Sequence, residues 1–384
     1  MRMAGPDDDF TLGVEEEYLL VDPGTRELVP ASPKVLARSQ PELGELGVQH
    51  ELFLAQVEIG TPVCRTLGEL REHLTGMRRQ LAAGARASGC RIAAAGTHPF
   101  SSWRYQQVTP RRRYLEFVAD YQQIAREQVL CGCHVHVGIA DPEAAIQTMN
   151  RVQAWLTPLL ALAGNSPFWL GADTGYASYR TQLWRRWPTA ESAGTFASRT
   201  DYDQLVASLV EVGAIQDATH IWWDVRPSAK YPTIEFRVTD VATTVDEAVM
   251  VAGLTRALAR TCHAEALQGD PAPVPRPELL RVARWRAARY GLGGELIDVT
   301  TQQLVPAPLL VERFLTHLRP ALEEYQEWDE VADLVDATMT RGPGAERQRA
   351  AYARTGRFED VVDQVVAETA TAWPHISPLG SNRM

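Results

Sequence analysis

The spacing of apolar positions changes several times along the chain, and each change marks an element. From Phe10 to Val21 the run FTLGVEEEYLLV is β-favouring and apolar at both ends, and Asp-Pro-Gly at 22–24 closes it, so it reads as a strand. Residues 51–59, ELFLAQVEI, give a second strand candidate, ended by Gly60 and Pro62. Leu67, Leu70, Leu74, Met77 and Leu81 then step by three and four, one face of a helix that should stop near Gly89. The run RIAAAG predicts a buried strand, a helix rich in Arg, Tyr and Gln covers residues 111–129, and CGCHVHVGI makes a third strand. Asp141-Pro142, an N-cap followed by a first-turn proline, predicts a helix to Ala163, ended by Asn165-Ser166-Pro167. Residues 165–200 show no period and are dense in Trp, Tyr and Arg, as a functional loop would be. Strands near 219–226 and 232–240 flank Pro227 and Pro232, and from Asp246 onward the pattern is almost wholly helical.

Strands and helices are thus mixed up to residue 240 without regular βαβ alternation, and a helical C-terminal part covers 245–375. This order predicts an α+β fold with an antiparallel or mixed sheet. No repeat or low-complexity linker divides the chain, so residues 1–384 are expected to form a single domain, with the Pro-rich QGDPAPVPRPE at 268–278 as its weakest join.

Charge and composition narrow the function. Against 48 Asp plus Glu stand 38 Lys plus Arg, a formal charge of −10, which disfavours a protein that coats nucleic acid. No apolar run is long enough for a membrane helix and MRMAGPDDDF has no apolar leader, so a cytoplasmic location away from membranes is expected. Cys64, Cys90, Cys131, Cys133 and Cys262 are too scattered for a disulfide scaffold and are expected to be reduced and mostly buried. The lysines are Lys34 and Lys230, neither in a Gly-Lys-Ser/Thr context, so there is no P-loop, and the kinase set, GxGxxG, GxSxG and HExxH are missing too. If the chain handles ATP, arginines and metal ions must hold the phosphates.

The chemistry-bearing residues sit on the predicted strands. Glu15 and Glu17 share one strand face, with Gly13 leaving space beside them. Glu51 and Glu58 stand among apolar neighbours, where carboxylates are costly unless compensated, and a bend between them is needed if both serve one site. His134 and His136 share a face of the third strand, with Cys131, Cys133, Val135 and Val137 on the other. Glu235 and Arg237 share a face of the last. Two carboxylates about 4 Å apart repel by roughly 4 kcal/mol at an effective dielectric near 20, so such groups converge only around cations. An oxygen-rich set suits two or more Mg²⁺ or Mn²⁺ ions clamping phosphate oxygens. Arg180 and Arg226 join Arg237 as planar donors for phosphate or carboxylate, whereas Arg111 to Arg113 read as a solvated helix start.

At these residues the chain resembles the glutamate-cysteine ligase type 2 family of carboxylate-amine ligases, through GVEEEYLLVD, HELFLAQVEIGTP, CGCHVHVGI, NSPFW and WWDVRPSAKYPTIEFRVTDV. The resemblance implies a glutamine synthetase-like domain with an antiparallel sheet curved into a funnel and flanked by helices, and a homodimer. It implies an ADP-forming ligase that activates a carboxylate, typically the γ-carboxylate of glutamate, as an acyl phosphate, with cysteine or another amine as acceptor. By the same resemblance Glu17, Glu51 and Glu58 hold one metal, and Glu15, His134 and Glu235 hold the metal on the ATP phosphates. Arg237 stabilises the transferring phosphate, and His136, Arg180 and Arg226 lie near substrate and phosphates. Two other readings compete: a metal-dependent hydrolase built on His134 and His136, and a non-catalytic regulator that binds glutamate or nucleotide.

Overall fold

The computed structural model describes residues 10–191, 194–273 and 275–370. Its main sheet has seven strands: β1 (Leu12–Val21), β2 (Val48–His50), β3 (Gln56–Gly60), β4 (Arg91–Ala93), β5 (Gly132–Gly138), β6 (Val225–Pro227) and β7 (Thr233–Asp240). They run in the order β6-β7-β5-β1-β3-β2, every pair antiparallel, with β4 extending the β5 edge of β1. The α+β expectation holds.

Helices cover the sheet, and their starts follow local capping. In α1 (Ser32–Gly47) Pro33 sits in the first turn; α2 (Leu67–Ala87) begins where Thr66 accepts the Glu69 amide and buries the apolar stripe from Leu67 to Leu81. After α3 (Arg112–Arg126) comes α4 (Pro142–Val152), capped by Asp141 as its sequence predicts. The helix expected to reach Ala163 breaks at Gln153–Trp155 and resumes as α5 (Leu156–Leu162). Pro158 supplies the reason, since it has no N–H for the carbonyl four residues back.

Three other boundaries move. Residues 51–55 form a turn between β2 and β3 rather than the first half of one strand, which is the bend Glu51 and Glu58 required. The strand placed near 219–226 is a single 3₁₀ turn, Ala218–His220, followed by short strands. Residues 165–200, aperiodic in sequence, contain α6 (Tyr179–Trp184), and α7 (Arg199–Glu211) starts at their end.

The helical third consists of α8 (Val245–Gln268), α9 (Pro277–Tyr290), α10 (Ala307–Glu324), α11 (Trp328–Arg341), α12 (Gly344–Thr355) and α13 (Phe358–Ala370). A hairpin pairing Glu295–Asp298 with Gln303–Pro306 interrupts it, where ELID and QLVP are too short and too β-favouring to extend either neighbouring helix. The long α8 opens with a Thr244–Glu247 capping box, is buried over most of its length, and packs on β5, α2, α4, α10 and α11. One continuous apolar core runs from Leu12 on β1 to Val365 on α13. All five cysteines are free and buried, and no described helix is long and apolar enough to cross a membrane.

Candidate active site

Strand periodicity splits β1 into two faces. Leu12, Val14, Glu16 and Tyr18 are buried beneath the sheet, while Gly13, Glu15 and Glu17 face the opposite side. Antiparallel register then sets functional residues in rows, since directly opposed side chains are nearest neighbours. Arg226 opposes Glu235, which opposes His136, which opposes Gly13; His134 opposes Glu15, and Glu17 opposes Glu58.

The side chains close on one another accordingly. His134 places Nδ1 3.4 Å from Glu15 and Nε2 3.9 Å from Glu17, and His136 Nε2 lies 3.6 Å from Glu15. Two ligand-like sets result, Glu15–His134–Glu235 and Glu17–Glu58–His134, with the potential ligand atoms of each within 4.8 Å of one another. Glu51 stands beside the second set without joining it, its Oε2 accepting the Leu52 amide. Neither set contains two histidines, so the hydrolase reading built on His134 and His136 has no paired-imidazole site among the described residues.

Arginines frame the sets. Arg226 donates from Nε to Glu235 at 2.9 Å and from Nη1 to the carbonyls of Thr219 and Ile221, so the protein itself consumes most of its donors and it orients Glu235. Arg237 also bonds Glu235 but keeps a buried Nε without a partner. Arg180 is buried, its Nη1 3.9 Å from Asp240, with a second unpartnered Nε. Both guanidinium groups lie over the Trp184 ring, at 5.4 Å for Arg180 and 5.3 Å for Arg237. The Trp184 indole N–H is tied to the Trp222 carbonyl at 3.1 Å. Arg111 and Arg113 are exposed as expected, yet Arg113 is close enough to act electrostatically on Glu51.

Two residues of this frame escaped the reading from sequence. Asp240 accepts from the Asn165 amide and from the Ser166 and Ser178 hydroxyls, and so pins the loop that carries Arg180. Its signal was an aspartate at the end of the buried strand TIEFRVTD. Trp184 is four residues after Arg180, the spacing that stacks side chains on a helix, and the signal was lost with α6 itself.

Electrostatics divide the carboxylates. Burial opposes ionisation of Glu15, but His134 and His136 overcome it and hold Glu15 well below the usual range. Glu235 is likewise low, because Arg237 and Arg226 outweigh its burial. Burial, then the charge of Glu51, pushes Glu17 to about 8; Glu58 goes well above its ordinary value for the same reason, with Glu15 its foremost charged neighbour. Burial and Arg237 push His134 down to about 4, which leaves it neutral and able to ligate.

The donor set fits divalent cations. Carboxylates that keep protons for want of a countercharge, and buried His134 and His136 Nε2 atoms without hydrogen-bond partners, are what Mg²⁺ or Mn²⁺ would satisfy. Added Mg²⁺ should therefore release protons at pH 7 and bind more tightly as pH rises towards about 8, as calorimetry in two buffers of different ionisation enthalpy would show. The stability linkage has the opposite slope. A raised carboxylate favours the folded state fully below its ordinary 4.5 and loses that contribution as pH climbs through about 8, so the metal-free protein should weaken over this window and Mg²⁺ should flatten the loss.

Beside the sets opens a cavity of about 870 Å³ lined by Gly13, Glu15, Gly60, His136, Tyr231 and Thr233, among others. Gly13 on β1, Gly60 on β3 and Gly138 on β5 add no side chain to its sheet side, where Glu15, His136 and Thr233 stand.

Comparison with known proteins identifies the family. The model of glutamate-cysteine ligase family 2 matches residues 11–366. A putative glutamate–cysteine ligase 2-2 of Frankia alni is 46% identical over 374 residues, covering 94% of this chain and 97% of that protein. Among solved structures, a bifunctional glutathione synthetase from Pasteurella multocida superposes with a TM-score of 0.68 at 14% identity, over 95% of this chain and 52% of that one. The glutamate–cysteine ligase of Francisella tularensis, solved with AMP, gives 0.64 at 12% identity, over 94% and 89%. At such identities these two structures speak for the fold alone. The chain belongs to glutamate-cysteine ligase family 2, a family of ATP-dependent carboxylate–amine ligases.

Proposed function

We propose that the protein joins the γ-carboxylate of glutamate, or a similar carboxylate, to the amine of cysteine or another amine, with ATP cleaved to ADP and phosphate. The observation that carries this reading is the convergence of Glu15, Glu17, Glu58 and Glu235 on His134, with Arg237 bonded to Glu235, beside a cavity large enough for a nucleotide that Glu15 and His136 line. Glu15, His134 and Glu235 would hold one metal ion and Glu17, Glu51 and Glu58 another. When bound, such ions would supply positive charge to offset what builds on the transferring phosphoryl group.

The protein's own groups account for the rest. Arg226 fixes the Glu235 carboxylate from behind, and the pair of arginines keeps it ionised. Thr233 Oγ1, 2.9 Å from His136 Nδ1, sets the ring of His136 against Glu15. Arg237, held over Trp184 with a free buried Nε, supplies a fixed donor for the transferring phosphoryl group. The substrate carboxylate oxygen attacks the γ-phosphorus, the bond to the ADP oxygen breaks, and the acyl phosphate forms. The amine nitrogen then attacks the acyl carbon, phosphate leaves with the bonding pair, and the amine gives up a proton.

ADP release with Mg²⁺, ATP and L-glutamate, with and without cysteine and a panel of other amines, tests the proposal. Amine-dependent release together with a new amide in the mass spectrum is the expected result and names the acceptor. Metal binding with no ADP from any carboxylate–amine pair would overturn it and bring forward the non-catalytic regulator.

A further inference from the structure

A second set of metal-ligand side chains lies in the helical third. Cys262 and Glu265 are three residues apart on α8, hence on one face of it, and His317 on α10 meets them across the helix–helix contact. Their potential ligand atoms lie within 4.8 Å of one another. Cys262 is fully buried, while the side chains of Glu265 and His317 are 30% and 20% exposed, so the set is closed on the core side and open to solvent on the other.

These three groups come together without bonding one another. His317 Nε2 lies 3.6 Å from Glu265 Oε1, beyond hydrogen-bond range, and that Nε2 is buried with no partner. Buried polar atoms in folded proteins are nearly always satisfied, so an orphaned imidazole nitrogen facing a carboxylate and a thiol needs an explanation. Its orientation is not slack. The ring of His317 stacks on Trp155 with centroids 4.4 Å apart and planes at 15°, and Trp155 in turn stacks on Phe314. The stacking thus holds the ring with its buried Nε2 turned towards Glu265.

We propose that Cys262, Glu265 and His317 form a zinc site, separate from the magnesium-type sets on the sheet. A thiolate, an imidazole and a carboxylate are the ligands zinc takes, and three protein ligands leave its fourth position for water. The thiolate separates this set from the all-oxygen-and-imidazole sets around His134, because sulfur selects against Mg²⁺. Binding would expel the thiol proton of Cys262. Burial, then the charge of Glu265, holds that thiol well above its ordinary range, and burial also raises Glu265; the Arg151 guanidinium, which donates to the Asp270 carbonyl at 2.7 Å, opposes both shifts without overcoming them. An ion there would tie α10 to α8, the helix that packs against β5.

Cobalt(II) is the probe, added to the full chain in excess Mg²⁺, because a thiolate ligand gives a charge-transfer absorption that carboxylate and imidazole ligands do not. The expected result is a stoichiometric charge-transfer band that Zn²⁺ displaces, that Cys262→Ser abolishes, and that the control Cys90→Ser retains. His317→Gln, at a partly exposed position, should weaken cobalt binding by at least tenfold, and it decides the matter if Cys262→Ser does not fold. No band in the parent protein, a band that survives Cys262→Ser, or parental affinity in His317→Gln would overturn the site. None of these outcomes depends on ATP turnover, so the ligase reading stands or falls separately.

Discussion

Arg237→Ala should lower ADP release by about 10³-fold while the protein stays folded, and Glu15→Gln should do the same. For Arg237 the argument runs from its surroundings. Glu235 keeps Arg226 as a partner after the change, so no buried carboxylate is left bare, and the Trp184 ring remains held by Trp222. What disappears is a buried donor, Nε, that no protein group uses, which is the mark of a group kept for a ligand. Glu15→Gln removes the one carboxylate that touches both His134 and His136 and replaces it with a near-isosteric amide. Steady-state kinetics beside thermal melts separate the two effects, with kcat collapsing and the melting temperature moving by no more than a few degrees. Activity near the parent level in either variant would remove that residue from the phosphoryl-transfer machinery.

The same residues show what was legible in the chain and what was not. Period two on β1, β5 and β7 assigned Glu15, Glu17, His134, His136, Glu235 and Arg237 to faces, and their register brings those faces together. Which glutamates would share a cation was a matter of turn geometry: residues 51–55 fold back so that Glu51 reaches the site from beyond the end of β2, a path that strand periodicity does not carry. Sequence makes Arg226 a planar donor suited to phosphate or carboxylate near the site. Its donors instead go to Glu235 and two backbone carbonyls, an outcome fixed by the 3₁₀ turn at Ala218–His220 and invisible in local pattern. Asp240 and Trp184 escaped because their partners lie far away in the chain or in a helix of six residues, too short to show a period.

The middle glutamate of the EEE run supports a prediction of a different kind. Glu16 points to the buried face of β1, where it is 0% exposed and bonded to Tyr18 and to Arg78 of α2, itself only 3% exposed. Arg78 also donates to the carbonyls of Thr243 at 2.8 Å and Ala242 at 2.9 Å, just ahead of α8. One guanidinium therefore joins β1, α2 and the start of α8. Arg78→Ala would strand a buried carboxylate and two carbonyls, and should cost about 3–5 kcal/mol in denaturant unfolding. Replacing the whole pair should be far milder: Glu16→Leu with Arg78→Met, matched in shape and uncharged, is expected to recover most of the loss, because two charges need no longer be kept out of water. A loss under about 1 kcal/mol in Arg78→Ala would mean that solvent reaches Glu16. Without that tie to α2 and α8, Glu15 and Glu17 would lose part of the fixed support beneath them. Arg78→Ala should accordingly weaken Mg²⁺ binding in the residual folded protein, whereas the uncharged pair, which keeps the strand seated, should bind Mg²⁺ as the parent does.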